Sequence, residues 1–196
     1  MERCQWLFAA AAAMSLFSIR EAIAQEPVRL SVRVIIHDSA SVPVDVLETA
    51  RNQTAATFAR AGIDLNWSSA SNCRADDDAR FCIQVLLRPR NSQSAPGPGR
   101  IMGMALAADR VRAVLSLYFD AVTDVARRYG WPRGDVLGLA LAHEMGHVLL
   151  PTPAHSSTGI MQASWEGDDL RHVLSGDATF TEEQVLAMRS RLASRQ

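Results

Sequence analysis

The sequence predicts an α+β fold: a twisted mixed sheet of about five strands packed on one buried helix, then a small C-terminal part with a tight turn and a terminal helix. Three observations predict it. Short runs of alternating apolar residues recur as far as Leu87, and a continuous apolar run follows from Ala113 to Phe119. The first of them are ordered strand, amphipathic helix, strand. Between Val136 and Leu150 stands an apolar segment whose only formally charged residue is Glu144.

The chain opens MERCQWLFAAAAAMSLFSIREAIAQ, an apolar run from Trp6 to Phe17 followed by Ala22-Ile23-Ala24, the small-x-small pattern read by signal peptidase. Residues 1–24 are expected to be a signal peptide cleaved after Ala24, and residues 25–196 a single domain, exported to the periplasm or the medium. A membrane anchor is the alternative, but the run is shorter than the roughly 18–20 apolar residues that spanning requires. No later segment qualifies, so no membrane association is expected once the signal is removed. The remaining stretch of about 170 residues suits one core and not two. The formal net charge is −1, and all 20 residues counted as Lys+Arg are Arg, scattered along the chain. With no basic stripe, nucleic acid is not an expected partner.

Val28, Leu30, Val32, Val34 and Ile36 alternate with Arg29, Ser31 and Arg33, which is strand periodicity, and Asp38 to Pro43 breaks it. Leu47, Ala50, Thr54, Phe58 and Ala61 then recur at three and four residues, marking an amphipathic helix that Gly62 ends. Ile63, Leu65 and Trp67 alternate again, so the opening is strand, helix, strand, and the two strands should be parallel. Phe81, Ile83, Val85 and Leu87 predict a third strand. Pro89 to Arg100 reads as a loop, Ile101 to Ala107 as a short strand, and Ala113 to Phe119 as a buried one. Asp120 is expected to cap a short helix through Arg128, and Asp135 to cap the apolar helix. Near the C-terminus, Phe180-Thr181-Glu182-Glu183-Gln184-Val185 combines a capping box with a hydrophobic staple. A helix should start at Thr181 and bury Val185, Met188 and Leu192.

Removing the signal would remove Cys4 and leave Cys73 and Cys82 as an even pair in an exported protein, so a disulfide is expected. It would close a loop containing Arg74 and Asp76-Asp77-Asp78, a solvated acidic tip that lacks the spaced oxygen ligands of a calcium site. His37, at a strand end with no acidic or His neighbour at ligand spacing, is expected to be structural.

The chemistry lies in the apolar helix. His143 and His147 are four residues apart, so a helix stacks them on one face about 6 Å apart at Cβ, where both imidazoles can reach one ion. Zinc takes neutral imidazole nitrogen at roughly 2.0–2.1 Å, and a catalytic zinc keeps three protein ligands and a position open for water. Glu144, directly after the first His, suits the proton transfer from that water, whose pKa zinc lowers to about 7. H-E-x-x-H also arises by chance in helices. Burial is what raises this one above chance, because two histidines and a Glu left unsatisfied would each cost on the order of 1–3 kcal/mol or more. Pro151 stops the helix. The chain must then double back, bringing His155, eight residues after His147, and Gly159-Ile160-Met161. His155 is the expected third ligand. Glu166, 19 residues past His147, is the rival and His172 a reserve, although Gly167 would cost about 1 kcal/mol in a helix placing that Glu.

HEMGHVLLPTPAHSSTGIM resembles the metzincin zinc metallopeptidases, especially the matrixin-like form in which Ser follows the third His and a Met-turn comes after. The resemblance implies a zincin-like sheet packed on the HExxH helix, zinc on His143, His147 and His155, Glu144 as general base, and Met161 beneath the metal. Two features depart from the family pattern: Leu150 stands where the family has glycine, and the third His comes two residues later. The segment is also similar to the HExxHxLL…HSxxGIM core of small bacterial secreted zincins, in which a Trp and a terminal helix follow.

These residues together point to an exported zinc metalloendopeptidase, with a peptide or protein as substrate, a zinc-bound water as attacking group and Glu144 as base. A zinc hydrolase acting on another amide or an ester is one alternative. A non-catalytic zinc-containing binding module is the other, and it has no use for a base beside an open position. Ile101 to Ala107, with Gly103 and Ala105, is expected to form a sheet edge offering unpaired N–H and C=O groups to an extended substrate.

Overall fold

The computed structural model describes residues 30–73, 81–89, 102–109, 111–152, 155–165, 171 and 179–194. The expected signal peptide, the acidic tip Asp76-Asp77-Asp78, Glu166 and His172 lie outside them. Strands β1 (Leu30–Asp38), β2 (Ile63–Ser68), β3 (Cys82–Arg88), β4 (Gly103–Ala108) and β5 (Arg112–Tyr118) form one sheet in the order β2-β1-β3-β5-β4. The β1, β2, β3 and β5 pairings are parallel, whereas β4 runs antiparallel to β5 at one edge. The expected parallel pair on either side of the first helix is therefore present.

Alternation decides which face carries the core. Val32 and Val34 of β1, Ile83, Val85 and Leu87 of β3, and Leu115 and Leu117 of β5 are all fully buried, each one residue apart from a neighbour on the opposite face. Against this face pack α1 (Val44–Arg60) and α3 (Arg133–Leu149), with α2 (Phe119–Tyr129) between β5 and α3 in the chain. On the other face Ile35, Cys73 and Cys82 make a small separate cluster. The expected Cys73–Cys82 disulfide is formed, with Cα atoms 5.9 Å apart.

Two helices lie close because glycine leaves room. A Cβ at Gly138 of α3 would come within 3.0 Å of the Ala50 carbonyl oxygen of α1, and Thr54 Oγ1 donates to both Ala50 O (2.7 Å) and Gly138 O (3.1 Å). This seam fixes α3, and with it the polar residues it carries. Gly62 ends α1 as expected, at φ +69°, a conformation in which a side chain is strained.

Both expected aspartate caps are displaced. β5 passes into α2 without a loop, Tyr118 being the N-cap, so Phe119 begins the helix instead of ending the strand and Asp120 lies inside the first turn. Likewise α3 begins at Arg133, with Pro132 as its extended N-cap (φ −60°, ψ 135°), and Asp135 falls in its first turn. Neither helix has a side-chain cap. The C-terminal expectation fares better. Thr181 caps α4 (Glu182–Ala193) in a complete capping box with Gln184, and Met188 and Leu192 are buried while Val185 is partly so. From α4, Arg189 donates to the Ala61 and Gly62 carbonyls at the end of α1, and Arg191 to the Leu150 carbonyl at the end of α3. Carbonyls left open where the two helices end thus meet guanidinium donors. No helix of the described residues is long and apolar enough to cross a membrane.

Candidate metal centre

From Val136 to Leu149 nearly every residue of α3 is buried, His143 at 7 % and Glu144 at 8 % exposure included. His147, one turn further on, is half-buried and His155 is exposed. One imidazole nitrogen from each of His143, His147 and His155 can be chosen so that all three lie within 4.8 Å of one another. The expected third residue is therefore beside the other two, and His37 stays apart at the end of β1.

The atoms facing one another are identified by their hydrogen bonds. His143 Nδ1 lies 2.8 Å from the carbonyl oxygen of Ile160, which can only accept, so Nδ1 carries the proton and Nε2 is left with its lone pair. That Nε2 stands 3.0 Å from Nε2 of His147. Two nitrogens bound tetrahedrally to one zinc at roughly 2.0–2.1 Å would be about 3.3 Å apart, so the observed spacing needs only a small adjustment to admit the ion. His147 Nδ1 is buried and has no hydrogen-bond partner. Burial holds His143 below the ordinary imidazole range, outweighing the opposing effect of the Ile160 carbonyl. For His147, burial and then the rings of His143 and His155 bring the pKa down to about 4. Neutral imidazole is the form that binds a metal.

The chain beyond α3 is returned by a tight turn. Ser156 N donates to Met161 O at 2.8 Å, Gln162 N to Gly159 O at 3.3 Å, and Gly159 adopts φ +75°. Fully buried Met161 then lies against Gly146, where a Cβ would collide with its Sδ and come within 3.0 Å of the Phe180 ring. Trp165 packs edge-on to His143, the ring centroids 5.0 Å apart. Spacing alone did not reveal these supports. The Ile160 contact is made by backbone and has no residue-type signature, whereas a Gly inside the HExxH segment was a visible sign of close approach.

Glu144, next to His143 on α3, is the one buried carboxylate among the described residues. Burial pushes its carboxyl up to about 7. Over it lies Gly103 of β4, without a side chain, and a Cβ built there would be 2.6 Å from Glu144 Cγ.

No protein family's sequence profile matches the chain, and neither does any curated protein sequence. Solved structures do match. A zinc-dependent peptidase from Methanocorpusculum labreanum superposes with a TM-score of 0.50 at 14% identity, over 82% of this chain and 99% of that one. Archaemetzincin from Methanopyrus kandleri gives 0.48 at 13% identity, over 84% and 96%. Metalloproteinase-II from Bacteroides fragilis gives 0.45 at 13% identity, over 83% of this chain and 52% of that longer one. At such identities the likeness to the Methanocorpusculum peptidase is one of fold.

Two outcomes are expected of the site. If the three grouped imidazoles hold zinc, its affinity, measured by chelator competition, should fall at least about 10-fold more for His155→Ala than for Glu166→Ala; the reverse order would make Glu166 the ligand. The second concerns pH. A carboxyl raised from 4.5 to about 7 on folding contributes stability that is present below the unfolded value and lost as pH rises through 7. After chelator treatment, wild type should therefore lose on the order of 2 kcal/mol relative to Glu144→Gln between about pH 5 and pH 8. His147 is common to both proteins and cancels. Parallel curves of Tm against pH would place Glu144 in water.

Proposed function

We propose that this chain is an exported zinc metalloendopeptidase in which His143, His147 and His155 hold one zinc ion and Glu144 is the general base. The observation that carries this reading is the convergence of three imidazole nitrogens within 4.8 Å of one another, on a helix that also buries Glu144 directly after the first of them. The fold shared with a zinc-dependent peptidase supports it. When bound there, zinc acidifies a water molecule to a pKa of about 7 and polarises a substrate carbonyl.

The protein's own groups do the rest. The Ile160 carbonyl holds His143 in the tautomer that presents Nε2. Glu144, a buried carboxyl, would take a proton from the attacking water and return it to the leaving amine. A peptide or protein substrate would lie along β4, the edge strand over Glu144, adding a strand through its backbone. Export is supported by the signal-like N-terminus and by the Cys73–Cys82 disulfide, a bond that persists in oxidising compartments. Neither nucleic acid nor, after signal removal, a membrane enters the proposed function.

Digestion of casein and of a peptide library by the zinc-loaded chain, with and without chelator, tests this. Cleavage at internal bonds that chelator abolishes is expected. Glu144→Ala should keep its zinc and lose activity by about 10²-fold or more. Retained turnover in that variant would remove the assigned base. Hydrolysis confined to small amides or esters would instead favour the second chemistry, and zinc binding without turnover would favour a binding module.

A further inference from the structure

We propose that Gly103 is a positioning residue for Glu144: a bare backbone at this one place on β4 is what lets the carboxyl, one residue after His143 on α3, keep the rotamer from which it acts. The inference rests on the reading of Glu144 as general base. It goes beyond that reading by assigning the base's orientation to a residue on a different element, about 40 positions earlier in the sequence.

The geometry is three-sided. A Cβ on Gly103 would lie 2.6 Å from Glu144 Cγ, 2.9 Å from Glu144 Cδ and 2.6 Å from Leu117 Cδ2. Carbon atoms that are not bonded pack at about 3.5–4.0 Å, so each of these contacts would have to open by roughly an ångström. Neither Leu117 nor the backbone of α3 can retreat freely. Leu117 is fully buried in β5, paired directly with Gly103, and Glu144 is 8 % exposed on a helix fixed by its seam with α1. The Glu144 atoms involved are Cγ and Cδ, the part of the side chain that sets where the carboxylate oxygens go.

Two reliefs are open to an added methyl: β4 moves outward, or Glu144 turns to another rotamer. β4 is held close to both its ends, by Tyr118 N donating to Met102 O at 2.8 Å and by Asp109 N donating to Arg112 O at 2.8 Å. Arg191 also donates to Asp109 O. Among the described residues no hydrogen bond or ion pair holds the Glu144 side chain, so the rotamer is what gives. A displacement of about 1 Å at a reacting group costs about 10²-fold in rate.

Gly103→Ala tests the proposal in the zinc-loaded protein. The expected result is kcat lowered by about 10²-fold with KM within about threefold and zinc affinity, by chelator competition, unchanged. The visible spectrum of the cobalt-loaded protein should shift in Gly103→Ala as it does in Glu144→Gln. A lowered Tm with kcat intact, or a raised KM with kcat intact, would overturn the proposal by showing that the glycine serves only the strand. Should Gly103→Ala fail to fold, Gly103→Ala/Leu117→Val removes the clash with Leu117 and keeps the one with Glu144. That variant must still show the low kcat and shifted cobalt spectrum, and wild-type values for both would overturn the proposal. If wild type cleaves no peptide, the peptidase reading fails, and the cobalt spectra alone decide whether Gly103 places Glu144.

Discussion

Everything in this fold answers to one constraint: two histidines and a glutamate sit inside a helix that is otherwise apolar and buried nearly all round. Taking α3 out of water is favourable for Leu137, Leu141, Met145 and Leu149, which keep no exposed surface, and unfavourable for His143 and Glu144. The polar residues cannot be turned outward without turning the apolar ones with them. Neutralisation is the available response, and it is visible in both directions. Imidazole pKa values fall and the carboxyl pKa rises, each toward its uncharged form.

The surroundings complete that response by supplying groups at fixed places. The turn after α3 supplies a carbonyl, Ile160 O, to one face of His143, and the same turn sets Met161 against Gly146. The chain that makes this turn also delivers His155. On the opposite side the sheet ends in β4, an antiparallel edge lying over Glu144. A carboxyl with a raised pKa, two buried imidazoles held toward their neutral form with a third beside them, and an edge strand are thus consequences of how one buried helix is enclosed. In the proposed function they become base, metal ligands and substrate rest.

Much of the fold was legible in the sequence because its strands obey strict alternation. Val32/Val34 and Ile83/Val85/Leu87 show in sequence the same face they show in the sheet, and Gly62 and Thr181 mark helix ends by residue chemistry alone. Asp120 and Asp135 misled because aspartate is favoured at an N-cap and also in the first turn, and here backbone geometry at Tyr118 and Pro132 starts each helix earlier. Spacing placed His143 and His147 on one face, since helical geometry is local. The position of His155 depends on a turn after Pro151, and the contact of Gly103 with Glu144 on tertiary packing, neither of which is encoded in a local period. Glycine in a short strand was a sign that something approaches closely, without saying what.

The measurement that tests the account most directly is the metal content of the purified chain by elemental analysis after mild purification. The three imidazoles should hold one zinc per chain, or take it up to about that level when zinc is supplied. Less than about 0.2 metal per chain, not restored by added zinc, would contradict the account.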